Sequence, residues 1–206
     1  MDPRRLESAV RPVAETAGAG HAAADLARYL ALLADANQRV NLVSRRAVED
    51  DLCAHVADSL AGLPLLPPPG SPLRLLDVGS GGGFPAIPIL LCRRDIEAVL
   101  AESTAKKAAF LSAACAELHL TAEVVNARFP DSFPKKMPPF NVLTSRAVAD
   151  PLGLAVAARP FMARGARALF WTTRGVLEDA AARVPHEFVP LAGTEQKGIA
   201  VVECFT

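Results

Sequence analysis

The apolar positions change their rhythm part way along the chain. In the first third they recur at helical spacing: Leu26, Leu30 and Leu33 share one face, and Val48, Leu52, Val56, Leu60 and Leu63 make a second stripe. Asn41-Leu42-Val43-Ser44 interrupts the two, with Ser44 suited to cap the helix that follows. The stretch from Pro64 to Pro72 holds five prolines and is neither helix nor central strand. It predicts a seam between a helical cap, residues 1–70, and a main body, residues 71–206. Beyond it short apolar runs at Leu73–Val78, Ile96–Ala101, Ala122–Val125, Asn141–Thr144 and Ala166–Trp171 alternate with helical stretches at Pro85–Arg93, Thr104–Leu118, Pro151–Ala163 and Val176–Arg183. Such alternation predicts a parallel sheet covered on both faces. Phe188–Leu191 and Ile199–Cys204 close the chain as two strands without a helix between them, a terminal hairpin.

The first of these runs ends in chemistry. Leu73–Val78 carries Asp77 and leads into Gly79-Ser80-Gly81-Gly82-Gly83-Phe84-Pro85. This reads as a buried strand, a tight turn and a helix start, where side chains would block a ligand's approach to the backbone. Two nucleotide cofactors fit the pattern. Gly81-x-Gly83-x-x-Ala86, with Glu102 lying 21 residues beyond Gly81, satisfies the nicotinamide fingerprint. Counted from the strand end, however, the turn begins at Gly79, and Asp77-x-Gly79-x-Gly81 is the start that S-adenosylmethionine enzymes use. Glu102, at the end of the second strand, then offers two carboxylate oxygens to a ribose diol; its bland alternative is an ion pair with Lys106.

Composition and charge add exclusions. Hydrophobic residues make up 51% of the 206, and no apolar run reaches the roughly 18 residues of a membrane span. The N-terminus lacks the apolar core of a signal peptide. Cys53, Cys92, Cys115 and Cys204 are scattered and read as thiols of a reducing, cytoplasmic compartment, with neither a disulfide frame nor a metal site. Lys and Arg together equal Asp and Glu at 22 each, so RNA binding has to come from a local patch such as Arg45-Arg46, Arg93-Arg94, Lys106-Lys107 or Lys135-Lys136. Met137-Pro138-Pro139-Phe140 imitates an amine-methylation motif but precedes the fourth strand and lacks its polar first residue.

Several linked motifs go further than the glycine loop. Gly79-x-Gly81-x-Gly83-Phe84-Pro85-x-Ile87-Pro88 occurs in order with Asn41-Leu42-Val43-Ser44, His55-x-x-Asp58-Ser59-Leu60, Lys106-Lys107-x-x-Phe110-Leu111 and Ser145-Arg146-Ala147. From about Leu26 to Val202 the chain resembles the glucose-inhibited division protein B family, bacterial methyltransferases of guanine N7 in small-subunit (16S) ribosomal RNA. The resemblance implies an α/β, Rossmann-like class I methyltransferase fold: a mostly parallel seven-stranded sheet, a C-terminal antiparallel hairpin and an N-terminal helical cap. It implies S-adenosylmethionine as donor and S-adenosylhomocysteine as product. Small-subunit ribosomal RNA is the implied partner, in assembled or assembling subunits; nothing demands more than a monomer or a membrane.

Carried over by position, Asp77, Gly79, Gly81, Gly83, Phe84, Glu102, Arg128, Phe129, Pro130 and Arg146 are the implied cofactor residues. Asn41, Arg146 and Arg174 are the implied catalytic ones, and Arg128, Arg174 and Lys197 meet the RNA. His55 and Asp58 read as a helix pair orienting the cap. Three positions depart from the family pattern. Ala86 stands for glycine after the proline, Arg174 for lysine, and Pro130 for an acid.

Overall fold

The computed structural model describes residues 3–43, 52–70, 72–180 and 184–205. Within them, strands β1 (Leu73–Val78), β2 (Ile96–Ala101), β3 (Ala122–Val125), β4 (Phe140–Arg146), β5 (Met162–Thr173), β6 (Glu187–Pro190) and β7 (Lys197–Phe205) form one sheet in the order β3-β2-β1-β4-β5-β7-β6. β1 to β5 run parallel, and β7 lies antiparallel between β5 and β6. The expected hairpin is present, its second strand inserted beside β5. The apolar runs are continuous because the central strands are covered on both faces: Leu75, Leu76, Val142, Leu143 and Leu169 are all fully buried.

One face is covered by α4 (Ala86–Cys92) and α5 (Ala105–Glu117), and over them lies the cap of α1 (Pro3–Thr16), α2 (Ala23–Asn37) and α3 (Leu52–Leu60). A single apolar core runs from Val10, Leu26 and Val56 of the cap through Ile87 and Leu111 to Leu75 of the sheet. Leu6, Val10 and Ala14 give α1 the same buried face at four-residue spacing that identifies the later helices. Arg94 to Asp25 at 2.6 Å and Arg28 to Glu117 at 2.7 Å tie α2 to the body from the surface, where such pairs contribute little. Arg93 grips Asp95 at 2.8 Å and also donates to the Pro67 carbonyl. The Arg93-Arg94 candidate for RNA contact is therefore spent on the fold. Ser44, Arg45-Arg46 and Val48 lie outside the described residues.

The opposite face carries α6 (Pro151–Ala158), α7 (Arg174–Asp179) and the β3–β4 connection. That connection has no helix; Phe133 buries itself against Phe140 and Phe161 instead, with ring centroids at 6.5 and 5.5 Å. Met137-Pro138-Pro139 is loop leading into β4, as its position indicates. α6 stops at Ala158, five residues short of its expected end. Pro160 supplies no N–H and its ring would collide with a carbonyl one turn back, so the chain tightens into a 3₁₀ turn and enters β5 early.

Candidate active site

The connections that leave the C-terminal ends of the neighbouring strands β1 and β4 run to opposite faces of the sheet, which leaves between them the crevice where open α/β sheets bind ligands. Two hydroxyls pin the crevice floor. Thr144 Oγ1 donates to Asp77 Oδ1 at 2.7 Å, and Ser145 Oγ donates to the Val78 carbonyl at 2.7 Å. Asp77 is fully buried and its Oδ2 has no partner among the described residues. Burial pushes its pKa up to about 7, against the opposing hydrogen bonds of Ser80 and Thr144, with Glu102 adding to the rise.

The glycine loop is built by its neighbours. Gly79, Gly81 and Gly83 take φ of +73°, +54° and +103°, a region that excludes most side chains. At Gly83 a Cβ would lie 2.6 Å from Ile87 Cδ1, so space forbids it as well. At Gly79 nothing lies within 4 Å of that position, leaving the backbone open toward the crevice. Tyr29, fully buried on α2, donates its hydroxyl to the Gly82 carbonyl at 2.8 Å, which clamps the loop from the cap. Asn37 Oδ1 accepts from the Leu42 and Val43 amides at 2.7 and 3.0 Å, shaping the turn that lies over Gly82.

Glu102 is buried at the end of β2. Its Oε2 accepts from the Gly81 amide at 2.9 Å and its Oε1 from the Thr104 amide at 2.7 Å, so loop and next helix both orient it. The alternative ion pair with Lys106 does not form. Both oxygens keep lone pairs for hydroxyl donors. Asn126 Nδ2 and the Ala127 amide donate to the Glu102 carbonyl, at 2.8 and 3.1 Å, holding the next loop alongside. Arg128, Phe129 and Pro130 follow on it. Arg128 is exposed, its amide donating to Ser132 Oγ, and Phe129 stacks into Phe133 and Phe161 at 5.2 and 5.1 Å.

Arg146 ends β4, and its Nη2 donates to His55 Nδ1 at 2.8 Å and to Asp58 Oδ2 at 3.0 Å. A neutral imidazole protonated on Nε2 is the tautomer that accepts this bond. His55 and Asp58 thus do more than brace the cap helix: they fix one end of the guanidinium. The other end, Nη1, is buried with no partner among the described residues. Desolvation pulls the Arg146 pKa down, and the Asp58 carboxylate works against it. Phe84, buried between Tyr29 and His55 with ring centroids at 5.4 and 5.3 Å, lies 6.0 Å from the Arg146 guanidinium carbon.

Two cavities meet at this arginine. One, of about 200 Å³, is lined by Leu42, Val43, the residues Gly79 to Gly82 and Phe84. The other, of about 370 Å³, is lined by Asp58, Trp171, Thr172, Thr173, Lys197 and Gly198. Arg146 and Ala147 line both. Ala147 adopts φ +58°, rare for a residue with a side chain. Trp171 is steadied by its indole N–H on the Asp58 carbonyl at 2.6 Å.

The sequence candidates therefore divide. Gly79, Gly81, Phe84 and Arg146 line the first cavity and Lys197 the second, while Asp77, Gly83 and Glu102 do not line either and stand next to the first one's glycine loop. Arg174 sits at the rim: its Nε donates to the Glu195 carbonyl at 2.9 Å and its guanidinium stacks on Phe188 at 4.4 Å. Asn41 is exposed and lines neither cavity, although Leu42 and Val43 beside it do. Tyr29, Asn37, Thr144 and Trp171 escaped the sequence reading. The chain has one tyrosine and one tryptophan, and Tyr29 falls within the Leu26–Leu33 stripe, a signal that was available.

Comparison with known proteins identifies the family and the fold. A family model described as rRNA small subunit methyltransferase G (GidB) matches residues 22–185. Proteins named ribosomal RNA small subunit methyltransferase G are similar to the chain. The one from Nitrosomonas europaea is 42% identical over 57% of this chain and 53% of its own length. The one from Acidiphilium cryptum is 38% identical over 73% and 68%, and the one from Leptothrix cholodnii 42% over 68% and 64%. The matched segments thus span from about half to two thirds of these relatives. Among solved structures, a mutant of MtNAS in complex with S-adenosylmethionine superposes with a TM-score of 0.59 at 16% identity, covering 85% of this chain and 73% of that one. Precorrin-6Y C5,15-methyltransferase from Geobacter metallireducens gives 0.53 at 14%, covering 79% and 90%. These two establish the Rossmann-like methyltransferase fold. With the family model spanning most of the chain, the protein belongs to the rRNA small subunit methyltransferase G (GidB) family.

Proposed function

We propose that the chain is an S-adenosylmethionine-dependent methyltransferase that methylates N7 of a guanine in small-subunit ribosomal RNA and releases S-adenosylhomocysteine. The observation that carries this reading is the meeting of a nucleotide-type cavity and a second, larger cavity at Arg146 and Ala147. A group-transfer enzyme needs two such sites sharing one wall.

The residues suit the donor. The open backbone at Gly79 and the unpartnered Asp77 Oδ2 lie at the methionine end, and Glu102 presents two oriented oxygens to the ribose hydroxyls. The Arg128–Pro130 loop borders the adenine. S-adenosylmethionine supplies an electrophilic methyl carbon on a positively charged sulfur. Guanine N7 carries an in-plane lone pair and no proton, so the new N–C bond forms as the C–S bond breaks, sulfur keeps the pair, and no base is required. The work left to the protein is alignment at about 3–3.5 Å and exclusion of water. Phe84 walls the donor side and Trp171 the acceptor side. Arg146 Nη1, lacking a partner among the described residues, is a donor for guanine O6. Lys197 and Arg174 stand at the outer rim, suited to phosphates, with Arg128 on the far side of the donor cavity. The acceptor is RNA in assembled or assembling subunits, met in the cytoplasm by a monomer. Among the described residues no helix is long and apolar enough to cross a membrane.

Filling the second cavity tests the division of labour. Thr172→Trp should leave S-adenosylhomocysteine affinity within about 3-fold of wild type while methyl transfer falls at least about 100-fold, roughly 2.7 kcal/mol of barrier. Loss of cofactor binding in step with transfer contradicts the two-cavity reading.

A further inference from the structure

We infer that the sheet face opposite the helical cap carries a second RNA contact, a track of exposed cations that takes the sugar-phosphate backbone far from the methylated base. The inference rests on the ribosomal-RNA reading of the active site.

Net charge conceals it. Residues 132–177 hold seven Lys and Arg against a single acid, Asp150, in a chain whose formal net charge is 0. Three of the seven are engaged away from the track, two of them beside the active site. Arg146 is held by His55 and Asp58, Arg167 pairs with Glu203 at 2.9 Å, and Arg174 stacks on Phe188. Lys135, Lys136, Arg159 and Arg164 are exposed and form no ion pair among the described residues. Asp150 pairs with none of them: it caps α6 on the Gly153 amide at 2.8 Å, beyond the Arg146 end of β4, whereas Lys135, Lys136, Arg159 and Arg164 lie before β4 and around the start of β5. Asp131, just before the segment, is the one acid of the β3–β4 connection, and the exposed Glu178 and Asp179 follow the segment at the end of α7.

The fold draws these four cations together. The β3–β4 connection crosses the face away from the cap, anchored by Phe129 and Phe133 on Phe161 at 5.1 and 5.5 Å. Lys135 follows Phe133 by two residues and Arg159 precedes Phe161 by two, so the ring contact sets the two basic segments side by side. Arg164 joins them through an irregularity in β5. Phe140 pairs with Met162 and Val142 with Arg167, so the β5 residues between are extra, and Gly165 turns through φ +73°. The bulge takes Arg164 out of the regular ladder. Like charges gathered at an edge repel one another, and a polyanion relieves that repulsion.

The chemistry favours phosphate over a protein partner. Protein interfaces centre on buried apolar and aromatic anchors, yet Val156 is the exposed large hydrophobic residue of the described chain, at 43%. Lys and Arg on loops are what phosphate contacts use. Six residue steps along β4 lead from Phe140 to Arg146, about 20 Å at roughly 3.3 Å each. An RNA that reaches both sites therefore spans several nucleotides or is folded.

The test is binding to naked small-subunit ribosomal RNA across a salt series, for wild type and the quadruple variant K135Q/K136Q/R159Q/R164Q. Each lost phosphate contact flattens the log–log salt dependence by about 0.7–0.9, so the expected slope is shallower by about 3, with weaker binding at low salt. S-adenosylhomocysteine affinity and kcat should hold while KM for RNA rises. The charge-conserving K135R/K136R/R159K/R164K variant should behave as wild type. An unchanged slope and affinity overturns the track. So does a defect seen only with assembled subunits and never with naked RNA, which assigns the patch to a ribosomal protein. A wild type that binds RNA and methylates it, with the quadruple variant indistinguishable, overturns the track alone. A wild type that neither binds nor methylates RNA overturns the active-site reading as well.

Discussion

Arg146 is the residue on which the site turns. Its guanidinium is half committed, with Nη2 shared between a ring nitrogen and a carboxylate and Nη1 buried without a partner among the described residues. A buried donor left unsatisfied costs about 1–3 kcal/mol, a cost that a guanine bound as proposed would offset. Arg146→Lys keeps the charge but not the fork that serves two partners and a ligand. Its transfer rate should fall at least about 100-fold with cofactor affinity nearly intact, as single-turnover kinetics and calorimetry would show. Equal loss of both would mean that Arg146 serves the donor alone. Asp77 supplies a pH dependence whose sign is fixed. Its folded pKa of about 7 stands above the ordinary value of 3.8, so the folded chain holds a proton that the unfolded chain has lost between those values. Stability from this group is complete below about pH 4 and falls as pH rises toward 7, on the order of 1.4 kcal/mol per unit. In the ligand-free protein Asp77→Asn should remove this component from the pH dependence of Tm. A wild-type slope retained by the variant would place the titration elsewhere.

At the scale of elements, the glycine loop is a part shared between cap and sheet. Tyr29→Phe deletes the bond to the Gly82 carbonyl, and about 1 kcal/mol of stability is the expected loss. Weaker S-adenosylhomocysteine binding should accompany it; a stability loss with unchanged binding would confine the bond to structure. Gly83→Ala should be harsher, since both φ +103° and the 2.6 Å approach of Ile87 oppose it. The loss of cofactor binding should exceed that of Tyr29→Phe, read by the same titration. The strands were legible in the sequence because burial on both sheet faces writes them as unbroken apolar runs. The glycine loop was legible because each of its turns demands a residue without a side chain. The clamps on the site were not. Tyr29 to Gly82, His55 to Arg146 and Asp58 to Arg146 join residues 53, 91 and 88 positions apart, and no local spacing encodes such pairs. His55 and Asp58 one turn apart on a helix suggested a mutual pair; only the packing of α3 over the end of β4 reveals a common third partner.

Across the whole molecule, a cap and a sheet share one core, and the cap's contribution to function is to hold the loop and Arg146 from above. The opposite face is left to α6, α7 and an aromatic-anchored loop, and there the exposed positive charge collects. Equal numbers of acids and bases hid this asymmetry from composition, because all but one of the compensating acids lie outside residues 132–177. If RNA meets both proposed contacts, about 20 Å apart, a short oligonucleotide around the target guanine should be a far poorer substrate than folded small-subunit RNA, compared by kcat/KM. Similar values would mean that the base pocket alone selects the RNA. The most direct measurement is methyl transfer from labelled S-adenosylmethionine to small ribosomal subunits and naked RNA that lack N7 methylation, with the product mapped by chemical cleavage at N7-methylguanine. The expected result is one modified guanine, lost with Arg146→Lys and with Thr172→Trp. Demonstrated cofactor binding with no transfer to either acceptor, or with label on another atom, would contradict it.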